Sequence, residues 1–175
     1  MAEERIERDD AGRVHRRFHV DAEERLEGEC TTWDGEGWLA QRAHFKAGLL
    51  DGELVQYDPF GNVAARMAYK QGKLHGDALF FDNARPQLKT QWLLGLQDGE
   101  SIVYGADGKP SAITHYRAGK LHGPASWYRP GGALLRTAHY LDGELDGELV
   151  EYDERGRVTD RTRYAAGKAE QRRPA

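Results

Sequence analysis

Histidines and acidic residues at a regular spacing are the first feature of the sequence that suggests chemistry. The chain contains seven histidines. Two of them belong to a set of acidic or imidazole side chains that recurs about every 24 residues, namely Glu27, Asp51, His75, Asp98, His122, Asp146 and Glu170. Metal ions hold such ligands within about 2–2.5 Å. If each step spans two strands, neighbours in the set lie roughly 9.5 Å apart, so we expect turn residues and no metal site.

Other patterns that support catalysis are missing from the sequence. Ser101, Ser111 and Ser126 have no His–acid pair at repeating positions, and no Gly-x-Ser-x-Gly motif occurs. The Gly-x-Leu-x-Gly strings join predicted strands and precede no helix, so they cannot form a phosphate loop. The single cysteine, Cys30, supplies neither a disulfide nor a Cys-based zinc site. We therefore predict no enzyme activity, no metal and no cofactor.

Glycines and aromatic residues divide the chain into repeats. The glycine that begins each unit recurs in steps of 24, 24, 23, 24 and 24 residues, at Gly28, Gly52, Gly76, Gly99, Gly123 and Gly147. A first aromatic follows five residues later, at Trp33, Tyr57, Phe81, Tyr104, Tyr128 and Tyr152. A second one follows at Phe45, Tyr69, Trp92, Tyr116, Tyr140 and Tyr164. A fixed period of this length is typical of a repeat array, here with six units.

Each unit has the pattern of a β-hairpin. In the second unit, residues 52–57 form a short predicted strand, 58–61 have turn chemistry, and 62–69 form a second strand with alternating polarity. We predict an all-β fold, an open repeat array of about six 24-residue hairpins in one elongated, twisted antiparallel meander sheet. The alternation also predicts that all twelve aromatic residues form one stripe on one face, which serves as core, contact surface or both.

Some positions depart from the pattern or mark its limits. Residues 1–27 form an acidic N-terminal cap, in which 12–20 resemble a degenerate hairpin, residues 28–170 form the repeats, and 171–175 form a basic tail. The third unit lacks one residue, and Arg85 stands where other units have a middle glycine. Gly119 and Gly143 lie where the chain turns between units, so we expect positive φ there. His44, His115 and His139 precede the second aromatic and are expected to face solvent.

The joins between units carry a family resemblance. The strings Gly72-Lys73-Leu74-His75-Gly76 and Gly119-Lys120-Leu121-His122-Gly123, each followed by a strand that ends in Phe or Tyr, resemble the bacterial variant of the MORN repeat. The resemblance covers about residues 28–170. It implies a protein-binding repeat module, and bacterial proteins of this antitoxin-like type are often described as antitoxin or immunity partners that neutralise a toxin by occlusion. Residues 152–159 resemble, more weakly, the tyrosine–aspartate repeat of Rhs shell proteins.

Charge distribution narrows the possible partners. Residues 1–30 contain 10 acidic and 6 basic residues, and the remainder is balanced at 19 of each. Without a basic run we expect no nucleic-acid partner. The local excess of basic residues lies in the tail, and this distribution argues against a membrane surface as the partner. No apolar run is long enough for a membrane span, and the acidic start does not fit a signal peptide, so we predict a cytoplasmic chain.

Three function classes remain open at this stage. A protein-binding module of antitoxin or immunity type fits best, because the chain lacks catalytic motifs and repeat arrays bind through extended surfaces. A lipid- or membrane-surface-binding scaffold is the alternative. A carbohydrate-binding protein or an Rhs-like shell fragment is a further alternative. The oligomeric state is not predicted.

Overall fold

The fold consists of β-strands alone within the residues that the structure describes. The computed structural model describes residues 2–170, which form seventeen strands and no helix. All seventeen strands belong to one antiparallel sheet. The predicted array of hairpins in one antiparallel meander sheet is therefore confirmed. The chain divides into two compact units, residues 2–86 with 92–95, and residues 87–91 with 96–170.

The first unit is a meander in which each strand pairs with the next along the chain. Its strands are β1 (Glu3–Arg8), β2 (Val14–Val20), β3 (Gly28–Trp33), β4 (Leu39–Lys46), β5 (Leu49–Tyr57), β6 (Val63–Lys70) and β7 (Lys73–Asp82). Strand β8 (Arg85–Leu93) is divided between the two units. Phe18, Val20 and Cys30 form a buried cluster, against which Leu26 and Phe45 pack. Cys30 is thus a core residue of strand β3.

The second unit repeats the same hairpin. Its strands are β9 (Leu96–Tyr104), β10 (Pro110–Arg117), β11 (Lys120–Leu121), β12 (Gly123–Tyr128), β13 (Leu134–Leu141), β14 (Glu144–Leu145), β15 (Gly147–Tyr152), β16 (Val158–Ala165) and β17 (Lys168–Ala169). Strand β13 pairs with β12 on one side and with β14 and β15 on the other. Buried positions in this unit include the small residues Ser101, Ala125 and Ala138 as well as Val150.

The segment before the first repeat also forms a hairpin. Strands β1 and β2 pair in register from Glu3↔Val20 to Arg8↔Val14, and β2 continues the meander into β3. No helix within residues 2–170 is long and apolar enough to cross a membrane. The basic tail of residues 171–175 lies outside the described residues, so the proposed domain boundaries stay predictions.

The joins between units are two-residue turns in which both residues have positive φ. Ala118 and Gly119 have φ of 47° and 81°, and Asp142 and Gly143 have 52° and 98°. These values match the type I′ turn, whose twist suits a hairpin. The expected positive φ of Gly119 and Gly143 is confirmed.

The sequence pattern predicted that Arg85 stands at the position of a turn glycine, and this prediction is wrong. The third unit turns instead at Asn83 and Ala84, with φ of 48° and 62°, and Arg85 is the first residue of strand β8. The shorter unit has therefore replaced the five-residue turn of the other units with a tight two-residue turn. No glycine is needed at position 85, because no left-handed residue is placed there.

Candidate functional site

The first and second aromatic residues of the β5–β6 hairpin lie on opposite faces of the sheet. Leu54 pairs with Met67, and both side chains lie on the same side of the sheet. Tyr69 is two residues after Met67 in β6 and therefore lies on that side too. We name this side of the first unit the Tyr69 face. Val55 pairs with Arg66 on the opposite side of the sheet, and Tyr57, two residues after Val55 in β5, lies on that side as well. We name it the Tyr57 face. The predicted single stripe is therefore wrong. Each face carries one aromatic residue of the hairpin.

A β-bulge beside each five-residue turn is the reason for this difference. Gln56 pairs with Ala65 whereas Tyr57 pairs with Val63, so Ala64 is an extra residue in β6. Such a bulge places two residues opposite one and shifts the alternation on one strand only. Alternation that is continued across the turn therefore gives the wrong face. Equivalent register shifts occur beside Trp33, Tyr104, Tyr128 and Tyr152.

All twelve predicted site residues are half-buried, including Trp92. In the first unit Trp33, Tyr57 and Phe81 share the Tyr57 face. Each of them lies two residues after a member of one cross-strand row, which consists of Thr31, Arg42, Val55, Arg66 and Leu79. Phe45 and Tyr69 lie on the Tyr69 face. In the second unit, Tyr104, Tyr128 and Tyr152 share one face and Tyr116, Tyr140 and Tyr164 the other. Whether these residues bind a partner stays a prediction.

The recurring acids near the unit glycines are structural. Asp98 Oδ2 accepts the backbone N–H of Ala118 at 2.9 Å, and Asp51 Oδ2 accepts that of Gln71 at 3.1 Å. Glu27 and Asp146 make the same contact with Ala47 and Ala166. Each carboxylate therefore caps the first left-handed residue of a turn about 20 residues later, in line with the prediction of turn residues. Within residues 2–170 no three His, Cys, Asp or Glu side chains are placed to hold a metal ion.

The histidines before the second aromatic are bonded to the main chain. His44 Nδ1 lies 2.8 Å from the Asp51 carbonyl oxygen, and His139 Nδ1 lies 3.0 Å from that of Asp146. Each of these histidines approaches a unit glycine closely, since a Cβ on Gly52 would lie 3.0 Å from His44 Cβ and one on Gly147 would lie 3.3 Å from His139 Cβ. The recurring glycine is thus needed for close approach of the neighbouring strand as well as for its φ of 127°.

Aspartates organise most of the five-residue turns. Asp58 Oδ1 accepts the backbone N–H groups of Phe60 and Asn62 at 2.9 Å each, and Oδ2 accepts the Asn62 side-chain amide at 3.0 Å. The Asn62 side chain is the main cause that lowers the pKa of Asp58. Hydrogen bonds from the backbone N–H groups of Arg13 and Arg157 are the main cause that lowers the pKa of Asp9 and Asp153.

A groove crosses strands β3 to β6 on the Tyr57 face of the first unit. It has a volume of about 660 Å³, and its lining includes Arg42, Glu53, Val55, Tyr57 and Arg66. Val55 is buried at 8% exposure and forms the floor. Arg42 and Arg66 pair with Val55 from the two flanking strands, so two cations stand on either side of an apolar floor.

An apolar cavity adjoins this groove through Arg66. It has a volume of about 440 Å³, and its lining includes Val63, Arg66, Leu79 and Phe81. Arg66 pairs with Leu79 across β6 and β7, and its Nε lies 3.3 Å from Glu53 Oε1. The two cavities therefore form one surface, which we call the Tyr57 groove, with a charged half and an apolar half.

The structure brings together only two of the predicted site residues in the Tyr57 groove, Tyr57 and Phe81. Arg42, Arg66 and Leu79 were missed. Arg42 and Arg66 occupy the same position of successive units, 24 residues apart, and this repeated cation was the signal available in the sequence. These arginines lie on the same face as Tyr57 because of the bulge, and the period of the sequence does not reveal the bulge.

Comparison with known protein families matches one of the repeats of this chain. A family model for the MORN repeat variant matches residues 26–47, which include β3 and β4. No curated protein matches the chain. A crystal structure of a Bacteroides fragilis NCTC 9343 protein of unknown function is 7% identical over 95% of this chain and 94% of that chain, with a TM-score of 0.15, which supports no structural argument. The chain thus contains a repeat similar to the MORN variant, a repeat type that fits a binding module.

Proposed function

We propose that the chain is a non-catalytic protein-binding module that uses the Tyr57 groove. The continuity of a charged and an apolar cavity around Arg66 is the observation that supports this proposal most directly. Aromatic and arginine side chains are enriched at protein interfaces, because they offer large contact areas with polar ends. Repeat arrays also bind through surfaces that extend over several units.

The nature of the partner follows from the resemblance to bacterial MORN-variant proteins. We propose a toxin or effector protein that is neutralised because its functional surface is covered. A lipid scaffold is the weaker candidate, since the lining of the charged half includes Glu29, Asp51 and Glu53 as well as two arginines. Anionic lipid headgroups are bound by clustered Lys and Arg without such acids.

A matched pair of variants tests the role of the groove. Val63 lies in its apolar half, and Val158 occupies the same position of a hairpin in the second unit, next to Tyr152. The product of a neighbouring gene should form a stoichiometric complex with the wild-type chain in size-exclusion chromatography. Val63→Asp should abolish this complex, and Val158→Asp should leave it intact. If that product is toxic, co-expression of the wild-type chain should restore growth.

A vesicle sedimentation assay tests the alternative function, a lipid-binding scaffold. Vesicles of phosphatidylserine and phosphatidylcholine should not sediment with the chain. Sedimentation with vesicles, together with no complex with the neighbouring gene product, would favour the scaffold and contradict the proposal. Urea denaturation of both valine variants distinguishes loss of binding from loss of folding.

A further inference from the structure

The acidic side chains of the Tyr57 groove have hydrogen-bond or ion-pair partners within the first unit. Glu53 forms an ion pair with Arg66 at 3.3 Å. Glu29 Oε1 accepts the Thr31 hydroxyl at 3.1 Å, and Asp51 Oδ2 accepts the Gln71 N–H at 3.1 Å. The acids of the groove are therefore engaged in contacts within the first unit.

Arg42 is different from these groups. It is an exposed residue of β4 that pairs with Thr31 on one side and with Val55 on the other. Its guanidinium makes no ion pair, hydrogen bond or ring contact with the described residues 2–170. A planar guanidinium binds a carboxylate through two parallel hydrogen bonds, so Arg42 presents an unoccupied carboxylate-binding group above an apolar floor.

We propose that the Tyr57 groove binds an extended partner segment with an acidic side chain on Arg42 and an apolar side chain between Leu79 and Phe81. This inference rests on the proposed protein-binding function and specifies the partner's chemistry. The basis is charge complementarity at Arg42 combined with the apolar lining of the adjoining cavity. A single segment contacts both halves, because Arg66 lines them both.

The distance between the two contacts sets the spacing in the partner. Arg42 is in β4 and Leu79 is in β7, three strand spacings apart, or about 14 Å. An extended peptide advances about 3.3 Å per residue, so it crosses this distance in about four residues. Residues four apart lie on the same side of an extended segment. The expected motif is therefore an acidic residue and an apolar residue separated by three residues, in either chain direction.

A displayed library of random linear peptides tests this motif directly. The full chain is used to select binders, and the selected sequences are compared with those that the Arg42→Glu variant selects. The wild type should enrich acidic residues four positions from an apolar residue. Arg42→Glu should enrich basic residues at the acidic position and keep the apolar one. Peptides selected by the wild type should bind Arg42→Ala about tenfold more weakly, as expected for loss of one charge-assisted contact.

Arg161 provides a matched control. It occupies the position of Arg42 in a later unit, pairs with Val150 and lies 3.6 Å from Glu148. Arg161→Ala should leave peptide affinity unchanged. Failure to enrich any motif, enrichment of basic residues by the wild type, or equal losses in Arg42→Ala and Arg161→Ala would overturn the inference. A neighbouring gene product that binds wild type and Arg42→Glu equally would overturn it while leaving the protein-binding function in place.

Discussion

At the level of single residues, the recurring glycines are required for two different reasons. Gly52 has a φ of 127°, and a Cβ at this position would lie 3.0 Å from His44 Cβ. Gly143 has a φ of 98°, and a Cβ there would meet nothing within 4 Å. One glycine is thus required by both backbone conformation and close packing, and the other by backbone conformation alone.

This difference predicts unequal effects of alanine. Gly143→Ala should destabilise the chain by about 1 kcal/mol through a left-handed alanine. Gly52→Ala should cost about 2–3 kcal/mol, because backbone strain is joined by contact with His44. Urea denaturation monitored by tryptophan fluorescence measures both values. Equal losses would show that the approach of His44 does not restrict residue 52.

The groove residues illustrate what can be predicted at this scale. Tyr57 and Phe81 were identified from their period, which is a property of the sequence. Arg42 was not, because a cation at a repeated position of a strand is usually a solvated side chain. Its proposed role follows only from pairing with Val55 and from the lack of a partner for its guanidinium among residues 2–170.

At the level of elements, the two-residue turns vary in how well their residues suit the backbone. Leu94 occupies the first position of the turn before β9 with a φ of 52°, and it is 55% exposed. A left-handed leucine costs roughly 1–2 kcal/mol relative to the usual backbone conformation. Asparagine followed by glycine is the preferred pair for a type I′ turn, and Gly95 already follows.

Leu94→Asn should therefore stabilise the chain by about 1 kcal/mol. Leu93→Asn is the control, because Leu93 is similarly exposed at 49% but lies in strand β8, where asparagine is unfavourable. Thermal denaturation should show a higher midpoint for Leu94→Asn and an unchanged or lower one for Leu93→Asn. A decrease for Leu94→Asn would contradict the turn assignment.

The carboxylate caps connect one hairpin to the next. Asp98 Oδ2 accepts the N–H of Ala118 at 2.9 Å, and an amide that loses such a partner costs about 0.5–1.5 kcal/mol. Asp98→Ala should lower the free energy of unfolding by this amount. Glu154→Ala, on an exposed turn residue, should have no effect. Equal stability of Asp98→Ala and wild type would show that water replaces the carboxylate.

At the level of the whole molecule, acidic turns make stability depend on pH. Hydrogen bonds lower the pKa of Asp9, Asp21, Asp58, Asp107 and Asp153 below the ordinary value. The main donors are the backbone N–H groups of Arg13, Gly131 and Arg157 and the side chains of Arg25 and Asn62. Because folded pKa values lie below unfolded ones, the unfolded chain binds more protons, and this stability is fully present above the unfolded pKa of about 4.

We therefore expect the free energy of unfolding to fall as the pH is lowered from about 4 through the folded pKa values. Urea denaturation at a series of pH values measures this loss. Asp58→Asn should be less stable than wild type at neutral pH and should lose less on acidification, because one linked group is removed. A wild-type stability that is constant or rises below the unfolded pKa would contradict the role of the turn aspartates.

The sequence by itself determined the period, the hairpins, the turn positions outside the third unit and the absence of a helical pattern, because glycine conformation and two-residue alternation are local properties. It did not determine which face each aromatic residue occupies. That depends on the extra residue at each bulge, such as Ala64, which exists only relative to the partner strand. The Tyr57 groove likewise arises because β5 places Val55 between Arg42 and Arg66, so cross-strand pairing, which is non-local, decides where the candidate site lies.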